Sequence, residues 1–173
     1  KMEASELIES FPIKHWKDIN KKANFLNAKV ELVDIWHFLL SKIIEEDLAY
    51  GRGVKGSIIK ISTIFYESYK EYESFLIIEE NHIKFCELFE KILCEFDLCL
   101  AEDSLSQFIQ NSTINKFIKV NCALGLSFND LYKLYIGKNC LNQLRQDNGY
   151  KEGTYKKIWF DNKEDNEIMY DLL

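Results

Sequence analysis

Two short acidic pairs are the residues of this chain best suited to chemistry. Glu3 and Glu6 are three apart, and so are Glu31 and Asp34. Positions i and i+3 of a helix face the same way, so each pair can aim two carboxylates at one point. The 24 residues between Glu6 and Glu31 give the chain room to turn and lay the second pair beside the first. Four hard oxygen donors of this kind suit Mg²⁺, which takes oxygen ligands at about 2.0–2.1 Å and leaves room for substrate phosphates. Four like charges in a half-buried seam would otherwise raise one another's pKa values, a conflict that a divalent cation relieves. The same spacing also fits surface acids on amphipathic helices. The second pair is the more telling, because it lies inside Val30–Leu40, where apolar residues outnumber polar ones. Spacing alone leaves both readings open.

The elements that must position these groups read as helices. The chain has 173 residues, with a single Pro and seven Gly. So few breakers favour long helices over many short strands. Residues 2–10 read as helix, interrupted by Pro12. Asn27 is the expected N-cap of a long helix reaching about Glu46. On that helix Leu32, Val33, Ile35, Trp36, Leu39, Leu40, Ile43 and Ile44 form one apolar half. Glu31, Asp34, His37 and Ser41 line the other, with Val30 and Phe38 among them. Gly51, Gly53 and Gly56 mark a loop. Helices are expected over Ile58–Tyr72, Ile78–Leu98 and Asp103–Leu124, the last with Phe108, Ile109, Phe117, Ile118 and Val120 as core. Gly125 stops it, Ser127 opens a capping sequence, and helical spacing resumes to Asn148. Residues 149–163 read as irregular, with a last helix from near Lys163. The expectation is one all-α domain, a multi-helix bundle over residues 1–173.

Composition narrows the function. The net charge of −6 argues against a nucleic-acid-binding module, which favours a basic face. No apolar run approaches the roughly 18–20 residues of a membrane span, and the first residues lack the plan of a signal peptide. Five cysteines, an odd number without CxxC spacing and mostly among apolar neighbours, read as buried reduced thiols of a cytoplasmic protein.

Longer motifs carry a resemblance. Glu31-Leu32-Val33-Asp34-Ile35-Trp36-His37-Phe38-Leu39 resembles the second metal motif of the dimeric all-α dUTPase family, within the all-α NTP pyrophosphatase superfamily. Glu3 and Glu6, followed by Lys14–Lys17, resemble the first. The segment from Tyr135 through Gly137-Lys138-Asn139 and Arg145 to Gly149-Tyr150-Lys151-Glu152-Gly153-Thr154-Tyr155-Lys156-Lys157, then Lys163-Glu164-Asp165-Asn166, resembles the family's phosphate-binding motifs. Residues 50–125 carry no motif and read as scaffold and dimer surface. Family members also have a helix before the first ExxE that helps to recognise uracil. This chain starts immediately before Glu3, so the expectation is either that the sequence is part of a longer one or that this helix is absent.

The resemblance implies hydrolysis of dUTP, and of dUDP, to dUMP by cleavage between the α and β phosphates. It implies two or more Mg²⁺ ions held by Glu3, Glu6, Glu31 and Asp34. Glu6 is the candidate to orient or deprotonate the water, with a purely ligating role as the alternative. Lys138, Asn142 and Arg145, spaced by four and three on one helix face, would hold phosphates together with Tyr150 and Lys156. Asp165 and Asn166 are further nucleotide-contact candidates. His15 and Trp16 are candidates near the base, with core packing the other reading of Trp16. His37 reads as a hydrogen-bonding residue rather than a ligand, and Trp36 as core. A homodimer is implied as well. The competing functions are a pyrophosphatase for another nucleotide, such as dCTP or a damaged base, and a non-catalytic helical regulator.

Overall fold

A computed structural model describes residues 2–12, 22–49, 51, 53–72, 82–101 and 112–173. Its described residues form helices α1 (Met2–Glu9), α2 (Phe25–Ala49), α3 (Val54–Tyr72), α4 (His82–Ala101), α5 (Ser112–Ala123), α6 (Phe128–Asp147) and α7 (Asp165–Asp171). No strand occurs among them, as the scarcity of breakers predicts. An isolated bridge between Ile158 and Glu164 and a one-turn 3-10 helix at Phe160–Asn162 shape the loop before α7. Helix α1 packs on α2, α2 on α6, and α6 on α7; α3 and α4 pack on α5, and α2 also meets α3. The succession α1–α2–α6–α7 therefore carries the described candidate residues on helices, except Tyr150 and Lys156 on the loop between α6 and α7, while α3–α5 pack against one another and against α2.

Local chemistry sets the helix ends. Helix α2 begins one turn earlier than expected, because Asn24 rather than Asn27 caps it: the Asn24 side-chain oxygen accepts from the Asn27 backbone N–H at 3.0 Å. The Asn27 amide instead donates to Ser10 Oγ at 2.9 Å. Ser10 Oγ in turn donates to the Glu6 carbonyl at 3.0 Å. That relay ties the first turn of α2 to the end of α1. After α5, Gly125 takes a left-handed φ of 69°, and Leu126 N–H returns to the Asn121 carbonyl at 2.9 Å, a glycine-terminated helix end. Ser127 and Asp130 form the capping box of α6.

Some boundaries differ from expectation. Helix α3 starts at Val54 and takes Gly56 into its first turn, so the glycine loop is shorter. Helix α4 runs His82–Ala101 rather than Ile78–Leu98. Of the helix expected over Asp103–Leu124, the described part is α5; Phe108 and Ile109 lie outside the described residues.

Phe117, Ile118 and Val120 are buried as expected. Trp36 is core too, lying against the rings of Phe65 and Phe117 with centroids at 4.4 and 5.2 Å. Helix α2 is covered on more than its apolar half: Val30 and Glu31 are buried together with Leu32, Val33, Ile35 and Trp36. Ile44, placed on the apolar half by periodicity, is instead 38% exposed, at the rim of an apolar cavity that α2, α3 and α6 enclose. The expectation of buried thiols holds for Cys86 and Cys122, whereas Cys94 and Cys140 are exposed; all four are reduced. Among the described residues no helix is long and apolar enough to cross a membrane.

Candidate active site

The acidic pairs meet where α1 lies against α2. Carboxylate oxygens of Glu3, Glu6 and Glu31 lie within 4.8 Å of one another. Glu6 is exposed, Glu3 half-buried, and Glu31 buried at 6% exposure. One oxygen of Glu31 has no hydrogen-bond partner among the described residues. Burial first, then the neighbouring carboxylates of Asp34, Glu3 and Glu6, push the Glu31 carboxyl from 4.5 up to about 8, against a partial opposing pull from Lys138. A buried carboxyl placed among three others, with an oxygen left unpartnered, is a seam short of positive charge. Hard, clustered oxygen donors of this type fit a divalent cation.

Among the described residues, Asp34 is the acid of the four that forms an ion pair. It shares α2 with Glu31 and pairs with Lys138 Nζ of α6 at 2.8 Å. Lys138 is 3% exposed and also donates to Asn166 Oδ1 at 3.0 Å. Both of its neighbours are acceptors, as a buried ammonium with three N–H groups requires. Lys138 thus joins the acidic seam to the cationic face of α6.

Two helical turns further, Arg145 projects from the same face. Its Nε and Nη2 donate to the two oxygens of Asp165 at 2.8 and 2.7 Å, a buried bidentate pair. Nη1 lies 3.4 Å from Asn142 Oδ1, and Nη2 lies 3.3 Å from Asn166 Oδ1, both longer than a strong N–H···O bond. Burial alone would push the Asp165 carboxyl up; the hydrogen bonds from Arg145 and Tyr155 outweigh it and hold the group below its ordinary range. The hydrogen bond to Asp165 likewise raises Arg145. Asp165 therefore faces inward onto protein groups, whereas Asn166 bridges the two cations.

The loop after α6 folds back over this face. Gly149 turns with φ 85°, and a Cβ there would run into the Thr154 side chain, so the bend requires glycine. Tyr150 is exposed, with Arg145 and Lys157 each 5.9 Å from its ring centroid. Lys156 is exposed on the same loop, and its carbonyl accepts from the Trp159 indole at 3.0 Å. Tyr155, which spacing did not single out, donates its hydroxyl to Asp165 at 2.9 Å. It lay within the quoted motif, but only the fold reveals its partner. His37 stacks on Tyr135 at 4.0 Å, and its Nδ1 lies 3.0 Å from the Val33 carbonyl, in keeping with a hydrogen-bonding role. His15 and Trp16 lie outside the described residues.

A carboxylate cluster beside a face carrying Lys138, Asn142 and Arg145 can hold a cation and a chain of phosphates next to each other. No curated protein matches the chain. A family model described as dUTPase matches residues 1–150, a span that includes both acidic pairs and all of α6. With its helical fold, the chain belongs to the all-α dUTPase family, whose reaction is the hydrolysis of dUTP.

Proposed function

We propose that this chain cleaves dUTP, and also dUDP, to dUMP with Mg²⁺ held by Glu3, Glu6, Glu31 and Asp34, two or more ions being engaged. The observation that carries the reading is the buried Glu31 carboxylate, with an unpartnered oxygen, within 4.8 Å of Glu3 and Glu6 oxygens. When bound, the metal supplies positive charge against the phosphate oxygens and lowers the pKa of water. Glu6, the exposed member of the cluster, orients the attacking water and accepts its proton. The water oxygen bonds to the α phosphorus as the bond to the α–β bridging oxygen breaks, and the leaving pyrophosphate, or phosphate from dUDP, takes the electron pair.

Lys138, Asn142 and Arg145 offer N–H donors from one face of α6, with Tyr150 and Lys156 closing from the loop. Such donors, fixed before the reaction, stabilise charge that grows on phosphate oxygens without reorganising as it grows. Asn166 adds a carboxamide between the two cations. His15 and Trp16 are proposed near the base.

The protein is proposed to act as a cytoplasmic homodimer. Ile44, Ile58, Phe128, Tyr132 and Ile136 are exposed around an apolar cavity of about 380 Å³, a surface that a second copy would cover. Light scattering on a sizing column tests this.

The test of function is pyrophosphate release from dUTP with and without Mg²⁺, run beside dCTP, dTTP and UTP, with Glu6→Gln as control. Metal-dependent turnover confined to dUTP and lost in E6Q supports the reading. Preference for another nucleotide overturns the substrate, and full activity in E6Q overturns the role of Glu6.

A further inference from the structure

Arg145 has a planar fork of five N–H donors. Asp165 engages one edge of it, Nε and one hydrogen of Nη2, at 2.8 and 2.7 Å. Among the described residues the rest of the fork makes only longer contacts, Nη1 with Asn142 at 3.4 Å and Nη2 with Asn166 at 3.3 Å. The guanidinium is thus gripped on one side and open to stronger acceptors on the other. Its direction depends on the plane of the Asp165 carboxylate, because the two groups are joined by two parallel bonds.

The carboxylate has its own anchors. Asp165 Oδ2, the oxygen that receives Nε, also accepts the Tyr155 hydroxyl at 2.9 Å. The Asp165 backbone N–H donates to the Lys157 carbonyl at 2.8 Å. The Tyr155 ring is set edge-on between Tyr150 and Trp159, with centroids at 6.2 and 6.4 Å. The glycine-turned loop therefore fixes a tyrosine, the tyrosine fixes a carboxylate, and the carboxylate fixes an arginine.

We propose that Tyr155 and Asp165 are positioning residues that aim the open edge of Arg145 at the phosphate chain of the substrate. The proposal rests on the reading of Arg145 as a phosphate donor. It assigns Asp165 an indirect role, in place of a contact with nucleotide. It also distinguishes the two tyrosines of the loop: Tyr150 faces outward, and Tyr155 acts through Asp165.

Tyr155→Phe keeps the ring and removes only the hydroxyl. Its expected effect is a fall in kcat of about tenfold with KM changed less than about twofold, since misaiming a donor costs more as phosphate charge develops than in the ground state. Adding Y155F to Asp165→Asn should cost less than about twofold further, because the relay is already broken. Should D165N fail to fold, Arg145→Lys serves the same cycle, as lysine lacks the fork that Asp165 grips. Full additivity in the cycle, or a Y155F enzyme with wild-type kcat, overturns the proposal. Competition by inorganic pyrophosphate in the presence of Mg²⁺ separates the two levels. If Arg145→Ala leaves pyrophosphate inhibition unchanged, the phosphate-donor reading falls and the proposal with it. If R145A weakens inhibition at least about tenfold while Y155F behaves additively, only the positioning relay falls.

Discussion

Glu31→Gln should stabilise the metal-free protein, the reverse of what most substitutions at a buried charged position do. Glu31 is 6% exposed and has an unpartnered oxygen. Burial and three neighbouring carboxylates push its pKa from 4.5 to about 8. Between those values the folded chain binds more protons than the unfolded one. Stability therefore falls as pH rises from about 4.5, and the loss is complete above about 8. At pH 7 the folded protein holds a proton that the unfolded chain has released, which costs about 3 kcal/mol at about 1.4 kcal/mol per pH unit. Gln is neutral and nearly the same shape, and its amide can donate to the Glu3 carboxylate. The variant in EDTA at pH 7 should thus gain up to about 3 kcal/mol, or roughly 6–12 °C in Tm for a chain of this size. The gain should shrink to about 1 kcal/mol at pH 5. With Mg²⁺ the gap closes: the wild type gains about 2.7 kcal/mol when the metal is at a hundred times its Kd, and the variant gains little. Thermal and urea unfolding, followed by circular dichroism in EDTA and in Mg²⁺, read both effects. An E31Q protein no more stable than wild type in EDTA at pH 7 would refute the strained seam. Equal gains from Mg²⁺ in both proteins would remove Glu31 from the metal site.

The other junctions are equally open to measurement. Lys138→Met leaves Asp34 without the ammonium 2.8 Å away; unfolding in EDTA should show a loss of about 3–5 kcal/mol, smaller when Mg²⁺ is present. Because Asp165 is held below its ordinary 3.8, its contribution is present above that pH and lost as pH falls through the lowered value; the stability gap between wild type and D165N should therefore close in strong acid, and a pH-independent gap would contradict it. Gly149→Ala meets a φ of 85° and the Thr154 side chain, so it should cost about 1–3 kcal/mol and lower kcat by displacing the loop, which steady-state kinetics on dUTP would show. Ser127→Ala removes the cap of α6 and should cost about 1 kcal/mol in urea unfolding with little change in kcat.

The residues by themselves determined that the described chain is helical, where α5 stops and α6 starts, and the faces on which chemistry could occur. Gly125 and the Ser127–Asp130 box end α5 and start α6 through bonds among neighbours in the chain, so their effects are local and readable. The i, i+3 and i, i+4 spacings likewise fix which side chains share a face, because the helix period is constant. Local spacing misplaced the cap of α2, since choosing Asn24 over Asn27 depends on Ser10 of another helix drawing away the Asn27 amide. Tertiary structure alone decided which acids converge. Glu3, Glu6 and Glu31 come together, while Asp34 also faces Lys138. It alone turned Asp165 inward and gave Tyr155 a partner. A helix period sets direction about its own axis, but not the rotation and height of the next helix against it. The partners of a buried charge, and hence its pKa, follow from that second geometry.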